Sequence, residues 1–478
     1  MNEYRKLKSF AATCVLVIAA LSCSSGYAQQ HSLPDAPAAQ LIAQASSADP
    51  SPQVPATTQQ PSTQPRPSTS QPIPRLTLAD AERIAIQHNP NVSIARLLQL
   101  AQAQVTRQIR SSELPTAFVD LTAVGAHEDS RITAGALNNP SIYDRAAGGL
   151  TVHQLITDFG RTHNLVRSAQ SSAKAQLDSE RATTEDITLA VDQAFYQALT
   201  ARSVLKVAQQ TVATRQAMGE QIGALTSSNL RSTLDLSLAN VQVSQAQLLV
   251  IDAQSAVETA MANLNAILGS ENNDQYQLVD ETPADSQPPP ASPEDFVQIA
   301  LRSRPDLAAL QDRSLAEKQF SAAEHDLKRP IISALAAAGG TPVRADQIAS
   351  SCYGAAGVNV TIPVFNGFEY SARANEADLR TQAAQQQVRN LRDSIARDVR
   401  TAVLNAQMAF QRIGLTRELL NQSNNAMELA QARYKVGLSG IAELSQAQLS
   451  QTEAQIAYAN AQFAYKTALA VVKYQTGQ

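Results

Sequence analysis

Six histidines, three cysteines and two carboxylates at matched positions are where chemistry would have to begin in this chain of 478 residues. His31, His88, His127, His153, His163 and His325 fall at no metal-ligand spacing, so they suit surface or cap positions and assign no metal. Cys14 lies in an apolar N-terminal run and Cys352 stands far from the others, a set that supports neither a disulfide framework nor a cysteine nucleophile. No nucleophile elbow, phosphate loop or zinc motif occurs, so no catalytic residue, cofactor or enzymatic activity is expected. The two carboxylates are Asp235 and Glu443, 208 residues apart. Each sits near the start of a predicted helix, where a carboxylate complements the helix dipole. Carboxylates gathered at a constriction would instead favour the passage of cations. Residue physics by itself favours the dipole role.

Composition narrows the elements that could position such residues. Only 4% of the chain is aromatic and 17% charged, there is no Trp, and the formal net charge is -4. A chain rich in Ala, Gln and Ser buries area through small residues at helical spacing, which argues for long packed helices. No basic stripe is present, so no nucleic-acid partner is expected.

The N-terminus carries Arg5, Lys6 and Lys8, an apolar run from Phe10 to about Leu21, then Gly26, Tyr27 and Ala28. This is the order of a secretory signal peptide over 1–28. An alternative takes Leu21, Ser22 and Cys23 as a lipoprotein signal, with Cys23 as the acylated first residue. Residues 29–75, rich in Pro, Ser and Gln, read as a disordered linker. Beyond the signal no apolar stretch approaches the roughly 20 residues of a membrane helix, so any membrane span must be built from strands.

The remainder is duplicated. Pro90 and Pro305, like Pro115 and Pro330, are 215 residues apart, while Asp158 and Asn366, Val191 and Val399, Leu236 and Leu444, and Gly269 and Gly477 are 208 apart. The repeats occupy 76–270 and 292–478, joined by a linker over 271–291. Each reads as short helix, strand, loop, strand, long helix, turn, long helix. In the first, Ala79 to about Glu113 is helical in pattern. Period-two segments then place strands at about 114–126 and 147–157, and in the second repeat at about 330–340 and 355–364, with a loop through Thr341 and Pro342. Asp158 and Asn366 are candidate N-caps of helices running from about Arg161 to Thr226 and from about Tyr370 to Tyr434. Roughly 65 residues make a helix of about 100 Å. Val257, Met261, Leu264 and Leu268 mark a coiled-coil seam on the first return helix. Asn229 and Gly437 occupy equivalent turns at the hairpin tips, and both residue types tolerate left-handed backbone. Tyr143, Tyr353 and Phe118 are the aromatic residues near strand ends that suit a membrane interface.

Four strands with one apolar face cannot close a barrel alone, and an open sheet edge in hydrocarbon leaves backbone groups unpaired. Two chains would give eight strands and a barrel filled by side chains; three give twelve and begin to leave an aqueous lumen. The predicted fold class is therefore mainly α with transmembrane β. Its protomer is a duplicated strand and long helical hairpin, and a homotrimer of it forms a 12-stranded β-barrel continued by a periplasmic α-helical tunnel.

Several short motifs sit in order on this plan: Leu76-Thr77-Leu78 with Ala81 and Ala85 leading to Asn89-Pro90, Ile362-Pro363-Val364-Phe365-Asn366-Gly367, and Tyr434-Lys435-Val436-Gly437-Leu438 followed by Glu443-Leu444 and Ala447. From about Arg75 to Gln478 the chain resembles the TolC-like outer-membrane efflux channels. The resemblance implies a homotrimer in outer-membrane lipid, coupled by a periplasmic adaptor protein to an inner-membrane transporter of RND or ABC type, with no chemistry of its own. It implies a periplasmic gate at Asp235, Glu443 and Tyr434, and an adaptor contact at Val436, Gly437, Leu438, Asn229 and Leu230. Ser439 stands where the family's gate pattern has Arg, which puts that ion-pair lock in doubt. The expected function is passive export of small toxic compounds as the exit duct of a tripartite system. The alternatives are the outer-membrane duct of a type I protein secretion system and, from another class, a coiled-coil envelope protein without a pore.

Overall fold

The computed structural model describes residues 74–125, 145–270, 274–280, 292–343 and 351–477. The signal segment with Cys23, nearly all of the 29–75 linker, and Tyr143 lie outside the described residues. The first repeat comprises β1 (Arg75–Leu76), α1 (Leu78–His88), α2 (Pro90–Arg110), β2 (Thr116–Val124), β3 (Arg145–Thr157), α3 (Arg161–Ser227) and α4 (Thr233–Leu268). The second comprises β4 (Gln277–Leu278), α5 (Pro293–Ser303), α6 (Pro305–His325), β5 (Ile331–Val343), β6 (Cys352–Thr361), α7 (Glu369–Lys435) and α8 (Ile441–Thr476).

The two repeats match element for element. Helices α3 and α7 each have 67 residues, and α4 and α8 each have 36. The segment expected to be helical from Ala79 to Glu113 is instead two helices broken at Asn89. Pro90 lacks an amide hydrogen and drives the residue before it to extended backbone, here φ -65 and ψ 125. Asn89 serves both ends of the break: its side-chain oxygen accepts from the Asn91 amide, and its nitrogen donates to the Ile267 carbonyl, each at 2.8 Å.

The described residues fall into two compact units. The strand segments 118–151 and 336–356 make one, within their described parts, and 73–117, 152–335 and 357–478 make the other. The strands pair in the order β2-β3-β5-β6, leaving β2 and β6 as edges, while β1 pairs in parallel with β4. Val119 and Leu121 on β2 are exposed, as are Val358 and Val360 on β6. The loop expected at Thr341 and Pro342 belongs to β5, because the Thr341 amide still donates to the Ser351 carbonyl at 2.7 Å.

Within the helical unit, each repeat builds a core from alanines and larger aliphatic residues, with Phe195 and Tyr196 added in the first. Ala81, Ala85, Val191, Ala194, Ala198, Leu264 and Leu268 pack in the first; Val297, Ala300, Val399, Ala402, Ala406 and Val472 pack in the second. On α4 the buried alanines Ala239, Ala246, Ala253 and Ala260 recur every seven residues, with Leu264 and Leu268 closing the seam. Val257 and Met261 are half-buried beside it. No helix among the described residues is long and apolar enough to cross a membrane.

At the entries to α3 and α7 the structure departs from simple N-capping by Asp158 and Asn366. Two consecutive left-handed residues precede each helix, Phe159 and Gly160 in one repeat and Gly367 and Phe368 in the other. The Asp158 carboxylate still satisfies the helix start from further back, accepting from the Thr162 amide at 2.6 Å and its hydroxyl at 2.5 Å.

Candidate functional site at the hairpin tips

Each long helix ends by the same local chemistry. In the first hairpin the Leu230 amide donates to the Leu225 carbonyl at 2.9 Å and Asn229 to Thr226 at 3.0 Å; in the second, Leu438 donates to Arg433 at 2.9 Å and Gly437 to Tyr434 at 3.1 Å. This is the closing pattern of a Schellman turn, which requires a left-handed residue just past the helix. Asn229 and Gly437 supply it with φ 57 and φ 80. Ser232 then caps α4 through the Leu234 amide at 3.1 Å.

Apolar side chains project from both turns into solvent. Leu230 is 69% exposed, Val436 70% and Leu438 73%. Behind them the tips share one small core containing Met218, Ile222, Ala239, Met427, Tyr434, Ile441 and Leu444. The two tips of one protomer are therefore packed together, with their turn residues on the outside.

Tyr434 is the hub of this arrangement. It is 3% exposed, and its carbonyl accepts a 2.6 Å hydrogen bond from the Arg231 guanidinium, which also lies 4.3 Å from the Tyr434 ring centroid. A cation over a tyrosine face gains from the ring quadrupole, and more so where water is excluded. Burial raises the Tyr434 hydroxyl above the ordinary tyrosine range; the Arg231 charge opposes that shift and the Asp235 charge adds to it. The phenol stays neutral at physiological pH.

Asp235 is half-buried in the first turn of α4, within electrostatic reach of Tyr434. Glu443, in the first turn of α8, pairs with Arg433 at 3.2 Å, both side chains being about half exposed. The structure thus brings Arg231 and Asp235 to Tyr434, and gives Glu443 a separate cationic partner. Among the described residues no cluster of His, Cys, Asp and Glu is arranged to hold a metal.

Sequence reasoning missed Arg231. Its signal was the duplication, because Arg231 stands 208 residues before Ser439, the position that lacks the expected arginine. The cation is present in the other repeat. The Ser439 hydroxyl, for its part, is buried without a hydrogen-bond partner among the described residues.

The sequence profile of the outer membrane efflux protein family matches residues 83–270 and 296–478. No curated protein matches the sequence. Solved structures with a similar fold include the outer membrane protein VceC of Vibrio cholerae, at 19% identity and TM-score 0.73, covering 84% of this chain and 96% of that one. The CmeC outer membrane channel of Campylobacter jejuni is similar at 17% identity and TM-score 0.72, covering 84% and 85%. The open state of the MtrE outer membrane channel of Neisseria gonorrhoeae is similar at 19% identity and TM-score 0.69, covering 84% and 88%.

Proposed function

Because this chain belongs to the outer membrane efflux protein family, we propose that three copies form the exit duct of a tripartite efflux system, conducting small toxic compounds out of the cell. The observation that carries this reading is the sheet, whose four strands end in two unpaired edges, β2 and β6. In the outer membrane those edges must find strands from other copies, and three copies supply twelve. The duct itself performs no chemistry, and transport energy comes from an inner-membrane transporter of RND or ABC type.

A periplasmic adaptor engages the exposed turn residues Val436, Gly437 and Leu438, together with Asn229 and Leu230. The gate lies just behind them, at Tyr434, Asp235 and Glu443, where three copies bring six carboxylates toward the axis. Arg231 holds the two tips of each protomer together in the resting state.

Purified protein is expected to have the native mass of a trimer and to conduct in planar bilayers; a monomer without conductance refutes the proposal. Replacing Asp235 by Asn and Glu443 by Gln together is expected to weaken cation selectivity, measured as the reversal potential across a salt gradient. Unchanged selectivity removes them from the constriction. Deleting the gene and profiling susceptibility to dyes, detergents and antibiotics tests the substrate class.

A further inference from the structure

On one face of the sheet an aromatic side chain lies where two neighbouring strands carry no side chain at all. Tyr353 is the second residue of β6, and its phenol reaches back over β5 and β3. A Cβ on Gly149 of β3 would collide with the Tyr353 hydroxyl, and a Cβ on Gly339 of β5 would fall 2.6 Å from the ring carbon that bears it. Glycine at both positions is what lets the phenol come down onto the backbone. The tip of the ring is held by that contact, and the side chain is still 45% exposed.

The same row carries a carboxylate. A Cβ on Gly148 would meet the Leu121 side chain at 2.8 Å, so Gly148 shares the apolar face of β2, and alternation puts Gly149 on the other face beside Asp120. The Thr151 hydroxyl, two residues along that face of β3, donates to Asp120 at 3.5 Å. Asp120, Gly149, Gly339 and Tyr353 therefore follow one another across β2, β3, β5 and β6, all within the strand unit. Phe118, two residues from Asp120 on the same face, is 56% exposed. Tyr353 and Phe118 suit a lipid interface by sequence, but both stand on the polar face instead. Among the described residues of this four-stranded sheet the other formal charge is Arg145, and four residues of β3 put it about 13 Å from Gly149.

A tyrosine ring attracts a cation through its face, and a cation that brings apolar surface of its own also gains from contact with the ring. Asp120 adds a full negative charge on the same row, and the two glycines between them contribute no bulk. An anion gains from neither group. We propose that Tyr353 and Asp120 form a binding site for organic cations, aromatic quaternary ammonium compounds and protonated aromatic amines, at the outer mouth of the duct. The site rests on the duct proposed above, which turns the Asp120 face toward the lumen and repeats the row in three copies. Tyr353 lies at the end of β6 that follows β5, away from the end that leads to α7, and this places it at the mouth.

The test uses full-length protein in planar bilayers, with phenyltrimethylammonium as the blocking probe and benzenesulfonate as its anionic counterpart, each added on the side of the loop between β5 and β6. Phenyltrimethylammonium is expected to reduce the potassium chloride current and benzenesulfonate to leave it unchanged. Tyr353→Ala is expected to raise the half-blocking concentration about fivefold, and Tyr353→Phe to preserve it. Asp120→Asn is expected to weaken block as well. Gly149→Ala keeps the phenol but puts a methyl group where its hydroxyl rests; it is expected to weaken block, and it carries the test if Tyr353→Ala does not assemble. Native mass reports assembly of each variant. A wild-type channel that is not blocked, equal block by benzenesulfonate, or block unchanged by Tyr353→Ala or by Asp120→Asn overturns the site and leaves the duct standing. Loss of trimers in both Tyr353→Ala and Gly149→Ala makes the phenol a filler over the glycines and also overturns the site. Wild-type protein without trimers or conductance overturns the duct itself.

Discussion

Arg231 makes two interactions with one residue, a charge-assisted hydrogen bond to the Tyr434 carbonyl and a cation–π contact with its ring. Together these are worth about 2 kcal/mol at a partly buried site, and 1.4 kcal/mol is a factor of about ten in an equilibrium. Arg231→Ser is therefore expected to raise the open population of the resting channel by about thirtyfold, read as open probability in single-channel recordings; an unchanged value assigns Arg231 to packing alone. A second residue-scale effect concerns acid in the core. Asp192 is 5% exposed; burial first, and then its hydrogen bond and charge contact with Glu82, push its carboxyl up to about 7, against a smaller opposing effect of Lys473. The folded state thus binds more protons than the unfolded state between about pH 4 and 7, so stability falls as pH rises through that window. The melting midpoint is expected to be higher at pH 5 than at pH 8, and Asp192→Asn is expected to remove most of that difference.

The paired hairpins show how equivalent elements tolerate different residues. Gly437 has φ 80 and open space around the position of a Cβ, so Gly437→Ala meets only the left-handed backbone penalty, about 1 kcal/mol. Gly269 ends α4 with φ 74, but a Cβ there would fall 2.6 Å from the His88 carbonyl oxygen. Gly269→Ala must add a backbone displacement to the same penalty, for a total of about 3 kcal/mol. Hydrogen exchange at the C-terminal turns of α3, α4 and α7 separates the two cases: the first substitution is expected to loosen only the tip, the second the junction of α1, α2 and α4. The turns themselves were legible in sequence, since Asn229 and Gly437 are residue types that enter left-handed backbone and sit at matched positions. The break at Asn89 was equally local, written in Pro90. The extent of β5 was not, because Thr341 and Pro342 look like turn residues locally and are held in a strand by the pairing of the Thr341 amide with the Ser351 carbonyl.

At the scale of the molecule, an outer-membrane barrel needs an apolar face toward lipid and a polar face toward the lumen. On β2, Val119 and Leu121 alternate with Asp120 and Thr122, and Asp120 accepts from the Thr151 hydroxyl of β3. Val119→Lys is expected to cost roughly 2–4 kcal/mol if the position lies at mid-bilayer, and to reduce the assembled protein recovered from outer-membrane fractions. Asp120→Lys, on the opposite face, is expected to leave assembly intact and to shift ion selectivity. Equal assembly of both variants would reverse the inside and outside of the strand.

The sequence by itself determined the duplication, the strand and helix periods, the long hairpins and the turn residues at their tips. Each depends on residues within a few turns of one another, or on the same local pattern recurring 208 or 215 positions away. Only the tertiary structure decided that β3 lies beside β5, that Glu82 reaches Asp192, and that an arginine from the first tip closes on a tyrosine of the second. Arg231 and Tyr434 are 203 residues apart. Their meeting is set by how two helical hairpins pack along their whole length, and no periodicity within either hairpin encodes which side chain of one will face which carbonyl of the other.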